Sequence, residues 1–171
     1  AGAAAAALEA ASADLPALMQ AFNEMRAHEG AALGVVLEDQ LAQVAALVDD
    51  AVAVLDDRRA AQADNLRAAL SRVIDNADGA DEDRVAQELA MIAVKTDVRE
   101  EIDRLGAHVA QARALLTGEE ARGRKLDFLM QEFNREANTL CSKSQFQELT
   151  RIGLDLKALI DQMREQVQNV E

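Results

Sequence analysis

Between Asp14 and Leu55 apolar residues follow helical spacings of three and four in two runs: Leu18, Phe22 and Met25, then Leu33, Leu37, Leu41, Val44, Leu47 with its neighbour Val48, Val52 and Leu55. That period belongs to one face of an α-helix, since strand side chains alternate with a period of two. The only proline, Pro16, follows Asp14 closely, so Asp14 is expected as the N-cap and Pro16 in the first turn, where a missing N–H costs little. Gly30 and Gly34 weaken the helix by about 1 kcal/mol each without ending it. The spacing predicts one helix over 15–55, far longer than the common length of about 10–14 residues. Such a helix cannot bury its stripe against itself; a neighbouring helix or a second subunit must cover it.

The rest of the chain reads the same way. Half of the residues are apolar, only 2% are aromatic, and all four aromatics are Phe. Ala, Leu, Glu, Gln and Arg, all good helix formers, dominate, and no segment alternates like a strand. The expected fold class is all-α: an elongated multi-helix assembly with one very long N-terminal helix and a C-terminal helical bundle. The charged cluster Asp56-Asp57-Arg58-Arg59 is expected to break the first helix. A second helix follows over 60–74, with Leu66, Leu70, Val73 and Ile74 inward. Asp75-Asn76-Ala77-Asp78-Gly79-Ala80 is the clearest turn and the best internal boundary. Asp81 is expected to cap a third helix, with Val85, Leu89 and Ile92 inward. Thr96 or Asp97 is expected to cap a fourth helix ending at Thr117-Gly118, with Glu100 completing a capping box if Asp97 is the cap. A fifth covers 121–141, Ser142-Lys143-Ser144 forms a turn, and a sixth covers 145–168. Residues 1–13 read as a linker remnant, 14–76 as a long helix and helical hairpin, and 77–171 as a C-terminal helical domain.

Two constellations carry chemistry. On the fourth helix Glu101, Arg104 and His108 follow at spacings of three and four and share a face. A carboxylate, a guanidinium and an imidazole in a row suit phosphodiester cleavage, through cation binding, phosphate neutralisation and proton movement near neutral pH. The same spacing also occurs on solvated faces and in local ion pairs. On the fifth helix an apolar face (Leu126, Leu129, Met130, Phe133, Ala137, Leu140) is opposed by Arg124, Asp127, Gln131, Asn134, Arg135 and Asn138. Asn is a poor helix former, so its repeated use there implies a demand for hydrogen bonds. Arg124 and Lys125 sit in the first turn, where cations oppose the helix dipole, so phosphate capture explains them better than stability does. Arg135 and Lys143 extend that track, and Asn134 and Asn138 offer hydrogen bonds to a phosphate, a ribose hydroxyl or a neighbouring helix backbone. Asp127, Glu132 and Glu136 are candidate ligands for Mg²⁺ or Mn²⁺, which favour oxygen donors.

The stretch Gly123 to Ser144, the ending Leu159 to Glu171 and the element Glu100-Glu101-Ile102-Asp103-Arg104-Leu105-Gly106-Ala107-His108 together resemble the C-terminal half of the YicC/YloC-type endoribonucleases. Weaker similarity runs back through Asn23-Glu24-Met25-Arg26 and Glu29 to Leu33. The family pattern places Ser where this chain has Ala107, and Gly where it has Cys141. Family members carry a further domain of comparable length ahead of this region, which this chain is expected to lack. The resemblance implies a cytoplasmic, divalent-metal-dependent endoribonuclease that assembles as a homo-hexameric ring around RNA. It implies catalytic roles for His108, Glu101 and Arg104. The alternative is a helical oligomerisation and RNA-binding module whose catalytic groups lie partly in the missing domain.

Charge distribution fits a localised RNA surface. The chain has 18 basic and 31 acidic residues, a net charge of −13, which argues against nucleic-acid binding by its whole surface. Residues 122–151 reverse the balance, with six basic and four acidic residues. No DNA specificity is evident. The lone Cys141 excludes an internal disulfide and is expected to pack as a small apolar residue. No apolar run is expected to cross a membrane. Ala1 to Ala7 lacks a basic n-region and reads as a cut or processed end rather than a signal peptide. No Walker loop, dinucleotide fingerprint, zinc cluster or Ser-His-Asp signature is present, so nucleotide-dependent and cofactor-dependent chemistries have no support.

Overall fold

The computed structural model describes residues 2–76, 82–118 and 121–170, and all of its regular structure is helical. Six helices follow in order: α1 (Gly2–Ala53), α2 (Leu55–Asn76), α3 (Glu82–Lys95), α4 (Arg99–Thr117), α5 (Gly123–Lys143) and α6 (Gln147–Val167). The C-terminal half of α1 packs with α4, α5 and α6 as a four-helix bundle, in which α5 touches both α4 and α6 and α1 closes the other side. Among the described residues α2 touches α1 and α3, far less extensively than the bundle helices touch one another.

α1 begins earlier than the sequence predicted. Pro16 lies inside the helix rather than in its first turn, and the segment read as a linker is helical from Gly2 onward. The physical reason is the run Ala3 to Ala7 with Ala10 and Ala11, the strongest helix formers, placed just ahead of a proline that removes only one backbone donor. The break falls at Val54, just before the charged cluster, and Val54 still donates its N–H to the Asp50 carbonyl at 3.2 Å. α2 therefore takes in Asp56 to Arg59. Side chains of Leu66, Leu70, Val73, Ile74, Val85 and Leu89 lie outside the described residues, as does Asp81; Ile92, expected inward, is exposed. Thr96 closes α3, its Oγ1 donating to the Ile92 carbonyl at 2.9 Å. The Asp97 carboxylate accepts the Arg99 N–H at 3.0 Å, while Glu100 turns to Arg104 instead of completing a capping box. Ser142 and Lys143 belong to α5, and the tight connection to α6 is made at Gln145, whose φ of 44° is left-handed.

The core is a single seam. From α1 it takes Leu37, Leu41, Val44, Val48 and Ala51, spaced four, three, four and three apart, the a/d pattern of knobs-into-holes packing. α4 adds Ile102, Leu105, Val109 and Ala112; α5 adds Leu126, Leu129, Met130, Phe133, Ala137 and Leu140; α6 adds Leu149, Ile152, Leu156, Ile160, Met163 and Val167. By length and composition α1 does contain an 18-residue stretch apolar enough to cross a membrane, contrary to the sequence expectation. Leu37 to Ala51 are nevertheless packed into the bundle, and Glu38, exposed among them, pairs with Arg113 of α4 at 2.8 Å. The other half of α1 differs: residues 2–32 are exposed throughout, including Leu15, Leu18, Phe22 and Met25.

The closest approach in the bundle is between α5 and α6. A Cβ built on Gly153 would lie 2.6 Å from Cys141 Sγ. Burial by these neighbours pushes the Cys141 thiol up from its ordinary pKa, against a smaller opposing effect of Lys157, so the group behaves as a packed apolar residue.

Two outcomes test this architecture by denaturant unfolding. Leu41→Ala should lower stability by about 2–5 kcal/mol through the cavity it leaves. Leu18→Ala should change it by less than about 0.5 kcal/mol, as expected of an exposed position; a loss as large as that of Leu41 would show that another chain covers the N-terminal half of α1. Gly153→Ala should destabilise by about 1–3 kcal/mol through overpacking. In a Cys141→Ala background the same change should instead be neutral or stabilising by up to about 1 kcal/mol, because only the gain in helix propensity remains.

Candidate active site between the fourth and fifth helices

α4 and α5 run antiparallel, and their shared border carries a ladder of polar groups. Ile102, Leu105 and Val109 turn one side of α4 into the core, and this places Glu101, Arg104 and His108 along its edge toward α5. On α5, the burial of Leu129, Phe133 and Leu140 sets Glu132, Glu136 and Lys143 along the edge toward α4. Because the helices are antiparallel, residue numbers that rise on one edge fall on the other, and three rungs result.

At the first rung Lys143 Nζ donates to Glu101 Oε1 at 2.8 Å. Glu101 is only 4% exposed, and its Oε2 is buried without a hydrogen-bond partner. At the second rung Arg104 donates to Glu136 Oε1 at 3.3 Å and also pairs with Glu100 one turn back on α4. The hydrogen bond from Arg104 to Glu136, then the charge of Glu100, holds the guanidinium above its ordinary pKa, so it stays a cation. At the third rung the His108 ring stands edge-on to Phe133, with centroids 5.4 Å apart and planes at 68°. His108 Nε2 is buried and makes no hydrogen bond.

The third rung holds the densest set of ligand atoms. One nitrogen of His108 and one carboxylate oxygen each of Glu132 and Glu136 lie within 4.8 Å of one another. Ligand bonds of roughly 2.0–2.2 Å place ligand atoms at most about 4.4 Å apart across an ion, so small side-chain adjustments would let the three hold one cation. A buried imidazole nitrogen with no partner is the observation that fits a ligand best, since an unsatisfied buried polar atom carries a desolvation cost. Glu136 is 3% exposed, whereas Glu132 and His108 are half-buried, so the group opens to solvent on one side.

The structure thus brings together five of the residues read from sequence, Glu101, Arg104, His108, Glu132 and Glu136, and adds Lys143 to them. Lys143 was expected on an RNA track; it is instead the partner of a buried carboxylate, because the helix carries it to the α4 edge. Asp127 lies off this cluster, on the α6 side of α5, where its carboxylate accepts from Gln131 Nε2 at 3.0 Å. Asn134 and Asn138 share that other side and bond to each other at 2.9 Å. Arg124, Lys125 and Arg135 are exposed. The role of Phe133 beside His108 was not read from sequence, since an apolar residue in an amphipathic pattern reads as core and nothing local marks its second contact.

Removing the ammonium of the first rung should strand Glu101. Lys143→Met is expected to lower stability by about 1–3 kcal/mol, the cost of a charged buried acceptor left unpaired. Adding Glu101→Leu should recover most of that loss in thermal or denaturant melts. A double variant no more stable than the single one would show that the pair is not the main tie between α4 and α5.

Residues 52–171 match the family model described as "Endoribonuclease YicC-like, C-terminal". The chain is 41% identical over 154 residues to a Haemophilus influenzae protein named "Probable endoribonuclease YicC", the match covering 90% of this chain and 53% of that protein. It is also 41% identical over 107 residues to a Clostridioides difficile protein of the same name, covering 63% of this chain and 36% of that one. The chain spans about half the length of the first of these relatives.

Proposed function

This chain belongs to the YicC-like endoribonuclease family, and from that membership we propose that it is the helical part of an RNA-cleaving enzyme whose active site lies at the α4–α5 border. The observation that carries the reading is the convergence of one His108 ring nitrogen with carboxylate oxygens of Glu132 and Glu136, on an imidazole whose buried Nε2 has no partner among the described residues. One imidazole and two carboxylates form a donor set suited to Mn²⁺ and acceptable to Mg²⁺. A divalent ion held there would supply charge neutralisation at the phosphodiester oxygens.

The other groups act around that centre. Arg104, about half exposed and held by Glu136 and Glu100, presents its remaining N–H donors to a phosphate at the rim. Glu132 makes no hydrogen bond or ion pair among the described residues, so with one carboxylate oxygen in the donor set its other oxygen is free to take a proton from the attacking oxygen. Glu136 is fixed by Arg104 and orients the set. Glu101 and Lys143 hold the two helices in register and stand away from the reacting atoms. The nucleophile, water or the ribose 2′-OH, is read from the products: 5′-phosphate ends follow from water, and 2′,3′-cyclic phosphate ends follow from the 2′-OH.

A second reading has its own support. The exposed apolar residues Leu15, Leu18, Phe22 and Met25 on α1 suit a surface that another subunit covers. On that reading the chain contributes assembly of a homo-oligomeric ring and RNA binding, while further catalytic groups come from the rest of the full-length protein.

Cleavage of a labelled structured RNA, with Mn²⁺ or with EDTA, separates the two. Cutting by the wild-type chain should require the metal and fall by about 10²–10⁴-fold in both His108→Ala and Glu132→Gln, with the fold unchanged by circular dichroism. Metal-independent cutting, or full activity in both variants, would remove the active site from this border. No cutting by any form, with RNA still bound, would leave the chain as the assembly and binding part.

A further inference from the structure

The α5–α6 side of the bundle carries a second polar site. A groove of about 430 Å³ is lined by Met130, Gln131, Asn134, Arg135, Asn138 and Thr139 of α5 and by Arg164 of α6. Met130 is fully buried and forms its base. The lining holds two guanidinium groups and no carboxylate, in a chain with 31 acidic and 18 basic residues. Arg135 and Arg164 are both exposed, and neither makes an ion pair among the described residues. Arg99, Arg104, Arg113 and Arg151 pair with carboxylates, whereas the two groove arginines do not.

Two asparagines point the same way. Asn138 Nδ2 donates to Asn134 Oδ1, which leaves Asn134 Nδ2 as a donor and Asn138 Oδ1 as an acceptor at the groove. Neither side chain bonds across to another helix, so the expectation that they bridge packed helices is not what keeps these poor helix formers in place. Two residues along an α-helix turn by about 200°, so Asn134 lies opposite Glu132 on α5, and Asn138 opposite Glu136. Arg135 occupies the exposed face between the two edges.

We propose that this groove binds the sugar–phosphate backbone of the RNA strand, with Arg135 and Arg164 on the phosphates and Asn134 and Asn138 on phosphate or ribose oxygens, and that the strand reaches the α4–α5 border across the exposed face of α5. The choice of RNA as the ligand rests on the proposed function; the groove itself rests on its own cations and amides. Arg164 is the residue that no sequence pattern brought forward, since it comes from α6 and meets the α5 set only in the folded bundle.

The test is binding of a labelled single-stranded RNA by the 171-residue chain in EDTA, which stops metal-dependent cleavage and keeps this result separate from the active-site reading. Affinity is measured across a salt series for wild type, Arg135→Gln, Arg164→Gln and Asn138→Ala. Each arginine variant should lose affinity and flatten the slope of log K against log salt by about 0.7, the value for one lost phosphate contact on a single strand. Asn138→Ala should bind more weakly while melting no earlier than wild type, which a purely structural role would not allow. Wild-type slopes in both arginine variants, or no RNA binding by the wild-type chain, would overturn the proposal. So would a groove answering to inorganic phosphate alone, seen as a thermal shift lost in Arg164→Gln with RNA affinity untouched.

Discussion

The antiparallel packing of α4 on α5 is the constraint from which the candidate site follows. Leu105, Val109, Phe133 and Leu140 must leave water together, and their interlock fixes the rotation and the axial register of both helices. Once that register is set, the polar residues that border the seam have no freedom to choose partners. Glu101 meets Lys143, Arg104 meets Glu136, and His108 meets Glu132 and Phe133. A slip of one turn would move each charge by about 5.4 Å and leave buried carboxylates unpaired. The apolar contacts supply the energy of this border, and the ion pairs specify its alignment.

Those charges are not there for stability alone. Replacing a buried ion pair by well-packed apolar residues is often neutral or stabilising. A border that retains Glu101 and Glu136 almost fully buried, with a carboxylate oxygen and an imidazole nitrogen lacking partners among the described residues, supports the site proposed there. The division of labour along the ladder is graded. At the Lys143 end the charges are paired, with one Glu101 oxygen left over, and hold the helices together, whereas at the His108 end the ligand atoms converge and open to solvent.

α1 shows how one periodic pattern can serve two ends. The same spacing of apolar residues runs through both halves of the helix, yet Leu37 to Ala51 are buried by α4 and α6 while Leu15 to Met25 face outward. Nothing in the spacing distinguishes the two, because periodicity reports that a face is apolar and not what covers it. The Ala-rich opening, which raised the expectation of a linker, adds helix instead, since Ala residues impose no entropy cost on a helix already nucleated downstream.

Helix content, the long first helix and the inward faces of α4, α5 and α6 were legible in the sequence, as 3.6-residue periodicity is a local property of the chain. So were the residue types of the site: Glu101, Arg104 and His108 share a face by spacing alone, and Glu132 and Glu136 stand one turn apart. What the sequence could not decide was which face of one helix meets which face of another. Only the packed bundle joined His108 to Glu132 and Glu136, drew Lys143 away from the exposed cations to Glu101, set Asp127 and the two asparagines on the far side of α5, and brought Arg164 to them. The physical reason is that amphipathic spacing fixes directions around one axis, whereas a site needs the distance and register between axes, and those come from side chains far apart in sequence excluding water together.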